Sequence, residues 1–202
     1  MRATSRRSAI AAAISAIGVV VAGCGFSATA PTGLSNASGT APAVSENNPA
    51  GDIPDNQAFV PFTLAAGLFT VSVPEGWART TEGAATIFTD KLNAVRIETR
   101  PTEAAPNTES VSVYELPGIA SSTPNFRAGT VTAVRRNAGQ VMLITYQGST
   151  PPNSVSGKTQ TDAFERYEYW HAGKAIILTL AGPVGADNVD PWRTITDSLR
   201  WQ

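Results

Sequence analysis

Two side chains occur once each in the 202 residues, the thiol of Cys24 and the imidazole of His171, and either could carry chemistry. A Ser-His-acid triad would have to use His171, but the chain has no Gly-x-Ser-x-Gly turn to present a serine to it. Metal sites need clustered ligands. One histidine, one thiol and no Asp-x-Asp-x-Asp-Gly loop do not make a cluster. Glu165 and Glu168 could serve as a carboxylate pair at a glycosidic bond. Three positions apart on a strand, however, they point to opposite faces. Gly182-Pro183-Val184-Gly185-Ala186-Asp187 lacks both the lysine of a phosphate loop and the three-glycine dinucleotide fingerprint. The sequence therefore yields no catalytic residue, no metal ligand and no cofactor.

Cys24 differs because of what precedes it. Arg2, Arg6 and Arg7 form a positive start, and residues 9–22 (AIAAAISAIGVVVA) are uncharged and mostly apolar. As a helix, that run would reach roughly 21 Å, short of the roughly 30 Å of a bilayer core and suited to a signal peptide. Val21-Ala22-Gly23-Cys24 follows directly, in the form of a bacterial lipobox: aliphatic, small, small, cysteine. The small residues let a peptidase grip an extended backbone between Gly23 and Cys24, once the thiol has become a lipid-bearing thioether. A plain membrane anchor with an incidental cysteine is the weaker reading, because all four features occur together and in order. Cleavage there removes residues 1–23. Two or more acyl chains on Cys24 make membrane release very slow. The expected address is the extracytoplasmic face of a bacterial cell membrane.

Residues 24–57 read as the lipidated cysteine and a tether. Gly, Ala, Ser, Thr, Pro and Asn dominate, with too little apolar surface to offset chain entropy. Such a chain of 33 residues reaches roughly 30 Å. Its last residues, Ile53 and Pro54 among them, are the ones best suited to dock on the domain. Residues 58–202 read as one globular domain. Loss of Arg2, Arg6 and Arg7 leaves 12 bases against 16 acids, a formal charge of −4. With three lysines and one tight basic pair, Arg135–Arg136, the chain is not built to bind nucleic acid.

Within the domain, Phe69–Val73 alternates apolar with small polar residues and ends in a turn at Pro74-Glu75-Gly76-Trp77, with Trp77 folding back on the core. Thr86–Thr89 and Ala94–Glu98 read as strands joined at 90–93. Residues 108–122 suggest a short helix on Val111, Tyr114 and Leu116, broken at Pro117-Gly118. Thr130–Val134 and Val141–Tyr146 flank a turn at Asn137-Ala138-Gly139. In a hairpin turning at Ala172-Gly173, Tyr169 pairs with Ile176 and Tyr167 with Leu178, all on one apolar face. A closing helix places Asp190 at the N-cap, Pro191 at N1, and Trp192, Ile195 and Leu199 on its buried face. The fold class is α+β, a mostly antiparallel central sheet flanked by helices.

Two features remain as binding candidates. The polar loop 149–158 carries Asn153 and Lys158, and loops of this kind often hold function. Trp170 and His171 end a strand in an aromatic cluster; Tyr167 and Tyr169 belong to the core face, which leaves Trp170 facing the other way.

The run Phe69-x-Val71-x-x-Pro74-x-Gly76-Trp77, with Asp190-Pro191-Trp192-Arg193 and Asp197-Ser198-Leu199-Arg200-Trp201 at the end, resembles actinobacterial envelope lipoproteins of the Mog1/PsbP-like type, the group of the LpqN-like proteins. The likeness spans roughly residues 58–202 and implies a sandwich of helices about an antiparallel sheet, used as a non-enzymatic binding or assembly module. It brings no catalytic residues. The reading that results is a membrane-anchored accessory domain for an envelope protein, lipid or glycan. The alternatives are an extracytoplasmic hydrolase built from scattered polar residues, or an assembly factor of a membrane complex.

Overall fold

The computed structural model describes residues 49–64, 67–150 and 159–202. Cys24, the segment before it that reads as a signal peptide, and the loop residues Asn153 and Lys158 lie outside them.

Among the described residues, ten strands form two antiparallel sheets. The smaller has the order β1 (Phe59–Thr63), β2 (Phe69–Pro74), β10 (Arg200–Trp201). The larger runs β3 (Ala78–Glu82), β4 (Ala85–Asp90), β5 (Asn93–Pro101), β9 (Lys174–Pro183), β8 (Thr161–His171), β7 (Gly139–Ser149), β6 (Arg127–Arg136). The β8–β9 register pairs Tyr169 with Ile176 and Tyr167 with Leu178. Ala172 and Gly173 both take positive φ in that turn, 46° and 80°, which matches the twist of the flanking strands.

The two faces of the large sheet are covered differently. One bears the small sheet and helix α3 (Val189–Asp197), with Phe69, Val71, Tyr167, Tyr169, Leu178, Trp192, Ile195 and Leu199 in a common core. The other bears a composite helix: α1 (Thr108–Ser110), a π-turn (Val111–Glu115) and α2 (Leu116–Ser122). Val111, Leu116 and Ile119 pack there on Met142, Ile144 and Tyr146. The α+β class and the helix-flanked antiparallel sheet are thus present.

Several local expectations change. Pro117 does not break the helix, because the π-turn ends at Glu115 and places Pro117 in the first turn of α2, where its missing N–H costs no bond. The wide turn also throws Tyr114 outward, 80% exposed, rather than onto the buried face. α3 is preceded by Asn188, not Asp190, and Pro191 is its third residue. Asn188 makes no capping bond because its side chain is engaged elsewhere. Its Oδ1 accepts from the Ile53 N–H (2.8 Å), and its Nδ2 donates to the Gly51 carbonyl and to Asn93 Oδ1 (3.1 and 3.0 Å). Leu199 is fully buried but lies just beyond the helix. β1, β3 and β10 were not anticipated.

Ile53 is buried and clasped by that asparagine pair, so the chain is fixed to the domain from Gly51. Gly182 makes the clasp possible: a β-carbon there would come within 2.8 Å of both Asn93 and Asn188. Asn188→Ala strands two buried partners, the Ile53 N–H and Asn93 Oδ1, while the Gly51 carbonyl keeps its bond from Asn93, and is expected to cost about 2 kcal/mol. Amide exchange at Ile53 should quicken with it; an Ile53 amide as protected as in wild type would mean the clasp holds nothing.

Candidate functional site

The face carrying the composite helix is where charge and open space meet. The helix covers β6, β7 and part of β8. Beside it a groove of about 930 Å³ opens between the end of α2 (Ser122, Thr123), the β4–β5 turn (Thr89, Lys91) and the start of β8. Arg96 and Phe164 line it, as does Asp162, which is buried and whose carboxyl is pushed up by desolvation despite a bond from Gln160.

Arg96 also begins a ladder of charge running beneath the helix. It pairs with Glu82 and with Glu98 (3.2 Å). Arg166 reaches Glu98 (3.7 Å), Glu115 on the π-turn (3.5 Å) and Glu168 (2.9 Å). Arg100 pairs with Glu115 and lies 3.5 Å from Glu168. Strand order explains the convergence. β9 alone separates β5 from β8, and its Thr179 pairs with Arg96 on one side and Arg166 on the other. The π-turn aims Glu115 inward to close the set.

Desolvation and the neighbouring Glu115 push Glu168 up to about 7, against the pull of Arg166. Burial pushes the Glu115 carboxyl up, but the neighbouring Glu168 and the guanidiniums of Arg100 and Arg166 together hold it below its ordinary range. Burial thus favours the protonated form of Glu168, whose side chain is wholly inaccessible to water.

The other candidate residues do not join this site. His171 is exposed at the β8–β9 turn, its ring 5.1 Å from that of Trp201 in a pocket of about 350 Å³. Among the described residues no side-chain hydrogen bond reaches its ring. Trp170 is half-buried on the face that Glu168 shares, opposite His171, and its indole N–H donates to the Thr102 carbonyl (2.9 Å). Glu165 bonds the Tyr167 hydroxyl (2.6 Å) on the α3 side, facing away from Glu168. Among the described residues no group of three His, Cys, Asp or Glu could hold a metal. The ladder itself escaped the sequence reading, although Arg96-x-Glu98-x-Arg100 and Arg166-x-Glu168 repeat charge at strand period on what would be a single face.

No family model matches the chain. No curated protein sequence matches it either. Several solved structures do. The yeast Ran-binding protein Mog1p (Saccharomyces cerevisiae) is 10% identical over 72% of this chain and 96% of its own, with a TM-score of 0.49. Cyanobacterial PsbP from Synechocystis is 10% identical over 77% of this chain and 100% of its own, TM-score 0.48. LpqN of Mycobacterium tuberculosis, involved in cell envelope biogenesis, is 16% identical over 72% and 91%, TM-score 0.38. The chain also spans about half the length (48%) of a Bacteroides thetaiotaomicron protein, at 11% identity over 70% of this chain and a TM-score of 0.47. Likenesses at this level concern the arrangement of elements and transfer neither partner nor activity.

Proposed function

We propose that this chain is a lipid-anchored accessory protein of the bacterial cell envelope, holding a non-catalytic binding domain on a short leash outside the membrane. The observation that carries it is the order of positive start, apolar run, Val21-Ala22-Gly23 and Cys24. About 27 residues separate Cys24 from Gly51, the first clasped position, giving a reach of roughly 30 Å. The groove beside α2 is the surface on offer to an envelope protein, lipid or glycan, and Cys24 would carry the acyl groups.

Cys24→Ser tests the anchor. The variant is expected to lose all incorporation of labelled fatty acid and to leave the membrane fraction or persist there as uncleaved precursor. Unchanged acyl labelling would refute the reading. A photo-crosslinking residue at Thr123, in the groove, should capture a specific envelope component on intact cells, while one at Thr80 on the exposed β3 should not. Equal capture from both positions, or none from either, would remove the groove as the binding surface.

A further inference from the structure

We infer that the composite helix is a proton-sensitive lid, latched to the sheet through the paired carboxyls of Glu115 and Glu168 and loosened when that pair loses its shared proton. Glu115 comes from the helix and Glu168 from β8, so the pair spans the interface that opening would separate. They share the guanidiniums of Arg100 and Arg166. The wider ladder holds three guanidiniums, of Arg96, Arg100 and Arg166, against four carboxylates, of Glu82, Glu98, Glu115 and Glu168. One carboxylate is in excess, and the one with no access to water is Glu168. One proton there brings the ladder to balance.

That proton also fills a vacancy. Glu115 Oε2 is a buried acceptor without a hydrogen bond, Arg166 standing 3.5 Å from it, and a neutral Glu168 beside it would supply one. With Glu168 ionised, two like charges face each other in a low-dielectric site and the acceptor stays unpaired. Arg100 Nε and Thr179 Oγ1 are likewise buried without partners. These three are the unpartnered buried side-chain atoms among the described residues, and all belong to the cluster. Lifting the helix would hydrate them, which lowers the cost of opening.

The helix has little rigidity of its own. Fifteen residues are split by a π-turn and carry Pro117 and Gly118, so docking rather than propensity holds it. Its apolar contacts with the sheet are those of Val111, Leu116 and Ile119. The groups that set the latch are Arg96, Glu98 and Arg100 on β5, Arg166 on β8, Glu115 on the helix, and the buried Tyr146 phenol on β7, which feels Arg166 and Glu98.

The sign follows from Glu168, raised from 4.5 to about 7. Its contribution to the closed state is complete below about 4.5 and is lost as pH rises toward about 7. Hydrogen exchange on the full-length chain, corrected for intrinsic rates, reads this at about pH 5.5 and about pH 8. Amides of 111–122 should open roughly tenfold more often at the higher pH, while those of β9 stay unchanged. Glu168→Gln, whose amide mimics the protonated acid, should abolish the difference and hold the helix closed at both values. Glu115→Gln removes the like charge and should flatten the response as well. Equal helix protection at both pH values in wild type would overturn the latch. So would a response that survives in both variants, or one shared by β9.

Discussion

Arg166→Met is expected to destabilise the domain by about 3–5 kcal/mol at pH 8, the range found when one partner is removed from a buried ion pair. Methionine keeps the apolar stem, so the loss is of charge and not of volume. Arg166 is 14% exposed and touches Glu98, Glu115 and Glu168 together. No solvent stands ready to replace it at Glu168, whose nearest remaining cation is Arg100 at 3.5 Å. The pH dependence has a definite direction. Arg166 lowers the Glu168 pKa, so its removal pushes that group beyond about 7. Wild type stops losing stability near there, and the variant continues to lose it. The gap between the two proteins should therefore be smaller at pH 6 than at pH 8. Chemical denaturation followed by tryptophan fluorescence at both values measures it. A gap under about 1 kcal/mol at both would mean the cluster is hydrated and its charges idle.

What could be read from the residues depended on the range of the contacts involved. The β8–β9 hairpin was legible because Ala172-Gly173 fixes the turn and alternation fixes the faces, so Tyr167 and Leu178 could be paired without a structure. β3 was not, since Ala78–Glu82 is exposed throughout and offers no alternation to detect. β10 has two residues, too few for any period. Pro117 reads as a helix breaker because nothing local announces the π-turn that moves it into a first turn. The N-cap slipped by two residues for a tertiary reason: Asn188 spends its side chain on Gly51, Ile53 and Asn93, positions 95 or more residues away. The charge ladder fails in the same way. Its strand-period charges are visible, but their meeting needs β9 inserted between β5 and β8, and the fourth carboxylate arrives from a helix. Local rules report which face a residue takes; they do not report which distant face it meets.

The second large effect belongs to the opposite side of the sheet. Trp192→Ala is expected to cost about 3–5 kcal/mol, the transfer energy of the indole plus the cavity it leaves. Trp192 is 8% exposed and joins α3 to the common core. Its ring edge lies over Gly182, only 3.5 Å from where a β-carbon would stand. A glycine floor has no side chain to swing into the gap, and β9 is held by bonded strands on both sides, so the site is poorly able to collapse. The neighbours on that floor are Asn93 and Asn188, whose bonds to Gly51 and Ile53 fix the root of the domain's N-terminal segment. Loss of the indole should therefore loosen that root as well as α3, which Tyr169 would still hold by its bond to the Thr196 carbonyl (2.7 Å). Trp192→Phe, which retains part of the ring, should fall between wild type and alanine. A cost below about 1 kcal/mol for the alanine variant would show that the helix is held by Ile195, Leu199 and Tyr169 alone, and that the tryptophan only fills a surface notch.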